Sequence, residues 1–344
     1  MKLKRIYYGK VEGVTIPVGF YYVGGTKDSG LVISDNSADE NKYKGQTTVG
    51  TDLQGNQYVW VEVPKTVAVY PTAGLAITNF TDAEYTAIEN DLHTYTSTYR
   101  NGTSYTDTYK DDSTTGWFTG ESQYNEAKKK MLKSVYENGG FYVGRYETGI
   151  ATTESPRTAE GDTTQTPVIK ANAYPYNYVT RTQAKVLAEN MAHGDKTTSL
   201  MFGVQWDLVL AYMHNVGGIG DSVLTSDSKT IGNYSNNLWN ITNTSVKWST
   251  NGTTWENCPK DKGDSSANIL LTTGADTSFG IKNIYDIAGN VWEWTLEKTS
   301  STYDPCAVRG GGYRNYGSSH PASYRNYYNP SYILNDYGFR VSLY

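Results

Sequence analysis

The sequence predicts an α+β protein, irregular and loop-rich, with few helices and short antiparallel strands. Three observations carry that expectation. Gly (34) and Tyr (31) are abundant while Phe (7), Met (5) and Pro (10) are scarce, a skew toward turn-rich, aromatic-decorated surface rather than a Leu-packed helical interior. Short runs of β-formers recur between Gly, Asp and Asn turn residues. Helical periodicity is confined to four segments of the 344-residue chain.

The elements follow in order. Runs at residues 15–23, 31–34 and 58–63 read as strands, the last closed by Pro64, with a polar loop from Asp35 to Gln57. Thr81 and Glu84 form a capping box that opens a helix to about His93. The following stretch, residues 94–119, is rich in Thr, Ser, Tyr and Asp and reads as a long irregular excursion. A clearer helix spans 122–138, with Tyr124, Ala127, Met131, Leu132 and Val135 on one face and Gly139-Gly140 as its stop. Lys128, Lys129 and Lys130 read as its solvated face. A strand is expected at 140–147. Thr180 and Gln183 supply a second capping box, for a helix that turns Val186, Leu187 and Met191 to the core and ends at Gly194. Residues 204–214 are almost continuously apolar, which predicts a deeply buried helix. From 217 to 284 the chain carries isolated Trp239, Trp248 and Trp255 and is too long for structureless loop, which points to short strands within it.

Charge and composition narrow the partners. A formal net charge of -5 with 19% charged residues does not suit a polyanion binder, so nucleic acid is not expected. The basic start, Met1 to Tyr8, lacks the apolar run of about 7–15 residues that a secretory signal needs, and no stretch approaches the ~20 apolar residues of a membrane span. No signal peptide is visible and no direct membrane insertion is expected; an extracellular place would be reached by another route, such as assembly into a virus particle and lysis. Cys258 and Cys306 allow one bridge or none, and without a CxxC or Cys/His cluster they give no zinc signature.

The most specific sequence is Asn283-Ile284-Tyr285-Asp286-Ile287-Ala288-Gly289-Asn290-Val291-Trp292-Glu293-Trp294, followed by Arg309-Gly310-Gly311-Gly312 and Gly338-Phe339-Arg340-Val341. This order resembles the formylglycine-generating-enzyme branch of the C-type lectin fold, with its G-L-Y-D-M-A-G-N-V-W-E-W run, R-G-G and terminal G-F-R. Weaker echoes lie at residues 59–64, 141–147 and 200–206. The resemblance covers residues 56–344, leaving 1–55 as either an attachment segment or extra strands of the same domain.

The resemblance implies a fold without the activity. Copper needs soft thiolate ligands, which in the family stand six and eleven positions after the Arg of R-G-G; here those positions hold Asn315 and His320. No catalytic residue and no required cofactor is expected. An enzyme of the same fold, sulfatase-maturating or iron-dependent and sulfoxide-forming, is the alternative, but His93, His193, His214 and His320 are scattered and form no i,i+4 pair. The family also binds calcium through the Asn and Glu of N-V-W-E-W. Carried over, this names Asn290 and Glu293 as metal ligands, or equally as a hydrogen-bonded lock without metal.

Between the Arg-Gly-Gly and Gly-Phe-Arg brackets, 17 of the 25 residues from 313 to 337 are Asn, Tyr, Ser, His or Asp. An AAC codon altered at its adenines yields Tyr, His, Asp, Ser, Ile and Leu, so the segment resembles the variable region of a diversity-generating-retroelement target protein. The candidate ligand-binding residues are Tyr313, Asn315, Tyr316, Ser318, Ser319, His320, Tyr324, Asn326, Tyr327, Tyr328, Asn329, Tyr332, Ile333, Leu334, Asn335, Asp336 and Tyr337. Tyr brings stiff amphipathic area and Ser and Asn adaptable hydrogen bonds, the mixture antibody paratopes use. Trp292 and Trp294 should share one core-facing side of a strand, while Arg309, Arg325 and Arg340 donate to buried carboxylates or carbonyls, with Glu293 or Asp286 as candidate partners. Gly310, Gly311 and Gly312 permit a bulge ahead of the display surface.

The expected function is non-enzymatic binding of a protein or glycan receptor on a cell surface, in a phage tail or a bacterial surface system, with a tail or surface-anchor partner. A third reading is a structural virion protein whose segment contacts a neighbouring subunit.

Overall fold

The computed structural model describes residues 9–100, 105–107, 109, 118–194 and 196–344. Residues 1–8, and 101–104, 108 and 110–117 of the excursion at 94–119, lie outside the described residues. The first apolar run does not stay one strand. Pro17 and Gly19, at φ +86°, make a turn that Phe20 N closes onto Pro17 O at 3.1 Å. Val14–Ile16 pairs back onto Gly9–Val11 through the turn at Glu12 and Gly13, and the next strand starts only at Tyr21.

In chain order the principal elements are β1 (Tyr21–Gly24), β2 (Val32–Ser34), β3 (Gln57–Glu62), α1 (Asp82–Tyr95), α2 (Glu121–Asn138), β4 (Gly140–Gly144), α3 (Arg181–Asn190), β5 (Thr198–Leu200), α4 (Gly203–Asn215), β6 (Trp292–Thr299), β7 (Cys306–Arg309), β8 (Arg325–Tyr328), β9 (Tyr337–Phe339) and β10 (Val341–Leu343). One six-stranded sheet runs β5-β10-β4-β3-β2-β1 with every neighbour antiparallel. The chain ends between β5 and β4, and residues 9–55 supply β1 and β2 at the far edge of this same sheet. A second sheet runs β8-β7-β6-β9, with β6 and β9 parallel and Tyr105–Thr106 paired onto the end of β6.

Both capping boxes form, Thr81 with Glu84 and Thr180 with Gln183, and Gly139 stops α2 in the left-handed region at φ +72°. Helix α4 is buried from Gly203 to Met213, as its apolar sequence predicts. Helix α3 corrects two expectations. It ends at Asn190, and Val186 is exposed, because the buried face follows Ala184, Leu187 and Ala188 at helical spacing. Lys128 also departs from a solvated face. It is largely covered and bonds Glu89 Oε1 at 3.0 Å.

The stretch 217–284 holds a short helix, Asp221–Thr225, and several two- and three-residue strands, among them Trp239–Ile241 on Lys260–Lys262 and Lys247–Ser249 on Leu270–Leu271. The fold is α+β, with few helices and many short antiparallel strands. Among the described residues no helix is long and apolar enough to cross a membrane. Cys258 and Cys306 are buried and unbridged.

Candidate binding face and its buried supports

Strand β6 sets the geometry. Its alternation places Trp292, Trp294 and Leu296 on one side and Glu293 and Glu297 on the other, and all are buried because neighbours cover both sides. Trp294 Nε1 donates to Val179 O at 3.0 Å, so even the indole's polar atom is satisfied. Glu293 receives Arg340, whose Nε lies 3.1 and 3.0 Å from its two oxygens and whose Nη2 lies 2.7 Å from Oε1. The same guanidinium donates to Gly144 O and Tyr285 O, which ties the end of β4 in the first sheet to β6 in the second.

Arg309 and Arg325 sit opposite each other in the β7–β8 ladder, and Arg309 is also opposite Glu293. Their carboxylate partners differ from those the sequence proposed. Arg309 Nη2 bonds Asp207 Oδ1 at 2.8 Å and Nη1 bonds Glu297 Oε2 at 3.2 Å. Arg325 bonds the same two acids, Nη2 to Asp207 Oδ1 at 2.6 Å and Nε to Glu297 Oε1 at 2.9 Å. Arg100 adds a third cation, 2.9 Å from Asp207 Oδ2 and 3.8 Å from Asp107 Oδ2. Three arginines thus face three buried acids. Coulomb attraction outweighs burial at Arg325 and holds it charged. Asp207 carried a readable signal, as the one acid in the apolar run of α4.

The other candidate partner, Asp286, accepts from Gly274 N at 2.6 Å instead. Asp286, Glu147 and Glu293 are all buried around the Arg340 guanidinium, and burial pushes each carboxyl upward, Asp286 to about 7. Asn290 occupies this region at φ +56°. Its Nδ2 donates to Glu147 Oε2 at 2.7 Å, and its Oδ1 accepts from Leu271 N at 3.1 Å and Asn233 Nδ2 at 3.0 Å. Calcium takes six to eight oxygen ligands. Here the Asn290 carbonyl is already saturated by two N–H donors and both Glu293 oxygens face a guanidinium, so this residue pair does not fit the cation. In this structure Asn290 is held by hydrogen bonds and Glu293 by its ion pair with Arg340.

The tyrosine-rich segment divides by burial. Tyr316, Ser318, Ser319, Tyr327, Tyr332 and Leu334 are exposed, and Asn315, His320, Tyr324, Asn326, Tyr328, Asn329 and Ile333 are half-buried. Four candidates are interior residues, a correction to the expected display set. Tyr313 packs against Leu270 and Val291 in a small separate core. Asn335 donates through Nδ2 to Asn251 O and accepts at its backbone carbonyl from Asn177 Nδ2, each at 2.8 Å. Asp336 O accepts from Trp292 N at 2.7 Å, and Tyr337 stacks on Trp294 at 5.5 Å while meeting the edge of Tyr328 at 4.9 Å. Asn335, Asp336 and Tyr337 lie beneath the surface because the chain re-enters β9 there, whereas Tyr313 follows the buried glycine turn after β7.

Asn315 and His320 are not assembled as a metal pair. Asn315 Oδ1 accepts from Gly312 N at 3.0 Å and locks the glycine turn, where Gly311 at φ +77° leaves no room for a Cβ against His320 O. The His320 ring lies edge-on to Trp292 at 5.4 Å and to Tyr324 at 4.6 Å, and burial holds its pKa below the usual value. Three exposed neighbours escaped the sequence reading, Arg314 among them. Ser331 lies within the segment, and Tyr303, 82% exposed, stands in the β6–β7 turn with its carbonyl accepting from Asn329 Nδ2 at 2.9 Å. No sequence motif marks Tyr303; only the pairing of β7 with β8 brings its turn beside residue 329.

No curated protein matches the chain. Among solved structures, variable protein 1 of Treponema denticola is similar at 15% identity and a TM-score of 0.33, covering 59% of this chain and 84% of that one. CarF is similar at 14% identity and a TM-score of 0.37, covering 59% and 85%. Residues 229–343, which contain β6 to β10 and both arginine brackets, match the family model described as the sulfatase-modifying factor enzyme 1-like domain.

Proposed function

We propose that the protein is a non-enzymatic binding protein whose face between Arg309 and Arg340 is diversified by a retroelement to recognise a receptor, protein or glycan, on a cell surface. The observation that carries this reading is the segregation within residues 313–337. Tyr316, Ser318, Ser319, Tyr327, Tyr332 and Leu334 face solvent, while Arg325 and Tyr337 hold the frame beneath them. Exposed tyrosines with short polar neighbours form contact area without a catalytic constellation. The two positions at which the family's copper-binding cysteines would fall carry a turn-locking Asn315 and a Trp-packed His320. A phage tail or a bacterial surface is the setting we propose for it.

The experiment is to sequence the DNA beside the gene and the gene itself in independent isolates. A near-copy of the codons for residues 313–337, with adenine wherever the protein varies, next to a reverse transcriptase is the expected result. Variation should fall on the exposed and half-buried positions and spare Arg325. Absence of such a copy, together with invariance at Tyr316, Tyr327 and Tyr332, would overturn the proposal in favour of a fixed assembly contact.

A further inference from the structure

We propose that Glu89, His93 and Asp107 form a binding site for a zinc-type dication, away from the tyrosine-rich face, which clamps α1 to the segment that pairs with the end of β6. Glu89 and His93 are four residues apart on α1 and so share one face. Asp107 meets them from the strand end at Tyr105–Thr106, with its Oδ2 3.2 Å from His93 Nε2, while Glu89 Oε1 lies 4.0 Å from the same nitrogen. Among the described residues no other set of three His, Cys, Asp or Glu side chains brings its donor atoms within 4.8 Å.

The donor set selects the ion. One imidazole nitrogen and two carboxylate oxygens suit zinc and its neighbours, whereas calcium and magnesium take oxygen alone. Bonds of about 2.0–2.1 Å in a tetrahedron place donor atoms roughly 3.3 Å apart, so the His93–Asp107 pair already has the required separation. Glu89 needs a small side-chain rotation to join it. Asp107 is fixed from behind, because its Oδ1 accepts from Gly203 N at 3.1 Å at the start of α4, the kind of outer contact that orients a ligand. His93 is 26% exposed at its side chain, which leaves a route for the ion and a coordination position toward solvent.

Lys128 is the displaceable competitor, whereas the Arg100 guanidinium, 3.8 Å from Asp107 Oδ2, is held on Asp207 at 2.9 Å. Lys128 Nζ lies 3.0 Å from Glu89 Oε1 and 2.9 Å from Asp107 O, where it balances the acids in the absence of a metal. An arriving dication repels this ammonium and displaces it toward solvent along its flexible stem. Affinity is therefore set in part by the competition between the dication and Lys128, and removing Lys128 must strengthen metal binding. A purely structural His–Asp hydrogen bond predicts no such gain.

The test titrates the full chain with Zn2+ alone by calorimetry, with Ca2+ and Mg2+ in parallel and thermal unfolding recorded for each variant. One Zn2+ site is expected, with H93A and E89Q each weakening it by about tenfold or more and K128M tightening it by about tenfold. Co2+ should give a visible absorption band in the wild type and K128M that is missing in H93A, provided circular dichroism shows the same fold. No Zn2+ binding, equal affinity in wild type and H93A, or unchanged or weaker binding in K128M would each defeat the proposal.

Discussion

Arg325 Nη2 lies 2.6 Å from Asp207 Oδ1, a contact between the middle of the tyrosine-rich segment and the central buried helix. Two residues on, Tyr327 is 52% exposed. One short strand therefore carries an anchor and a display position side by side. Removing one partner of a buried ion pair strands the other, at a cost of about 3–5 kcal/mol. Arg325→Met leaves Asp207 with Arg309 and Arg100 but deprives Glu297 of a donor, so a loss at the lower end of that range is expected in urea denaturation. Tyr327→Ala should change stability by about 0.5 kcal/mol or less, as exposed substitutions do. Equal losses in the two variants would contradict the separation of roles.

Tyr313 and Tyr316 make the same comparison without charge. Tyr313 is fully buried against Leu270 and Val291, and Tyr316 is 52% exposed. Tyr313→Ala empties an aromatic core position and should cost about 3–5 kcal/mol. Tyr316→Ala should fall within about 0.5 kcal/mol of wild type. Denaturant midpoints at unchanged slope would measure both.

These pairs mark the limit of what the sequence disclosed. The bracketing motifs located the strand that carries Trp292 and Trp294 and the two arginines Arg309 and Arg340, and the capping boxes at Thr81 and Thr180 located two helix starts, because such signals are local. Composition located the tyrosine-rich segment but could not sort it. Tyr313, Asn335, Asp336 and Tyr337 belong to the same residue types as the exposed positions, and their burial depends on contacts with Leu270, Asn251, Trp292 and Trp294, which are distant in sequence. The partners of Arg309 and Arg325 were hidden for the same reason, since Asp207 lies on α4, 102 and 118 residues away. Val186 misled because a three-residue apolar pattern in a ten-residue helix permits two buried faces.

The acids around Arg340 give a pH dependence of definite sign. Burial raises Glu147, Asp286 and Glu293, Asp286 to about 7 from an ordinary value of 3.8. A carboxyl raised on folding binds a proton more tightly in the native state, so its contribution is complete below the ordinary value and is lost as pH rises through the raised one. Unfolding free energy should therefore fall as pH climbs from about 4 through 7, by up to about 1.4 kcal/mol per pH unit for one such group. Asp286→Asn keeps an acceptor for Gly274 N and removes the titration, which should flatten the curve. A curve of the same slope in Asp286→Asn would assign the dependence elsewhere.

The display reading makes a further demand, that the exposed positions accept almost any side chain while the interior ones accept few. Two libraries test this. The first randomises Tyr316, Ser318, Ser319, Tyr327, Tyr332 and Leu334, all solvent-facing; the second randomises Tyr313, Asn335, Asp336 and Tyr337, all buried. Tyr328 stays fixed in both because its ring packs on Tyr332 at 5.3 Å and Tyr337 at 4.9 Å. Surface changes cost little and buried polar or aromatic losses cost several kcal/mol. Most members of the first library should then remain folded by protease resistance on a cell display system, and most of the second should not. The first should also yield binders to an arbitrary globular protein such as lysozyme, because the frame held by Arg309, Arg325 and Arg340 does not depend on the side chains it presents. A first library that is as protease-sensitive as the second would mean that these tyrosines support the fold rather than meet a partner.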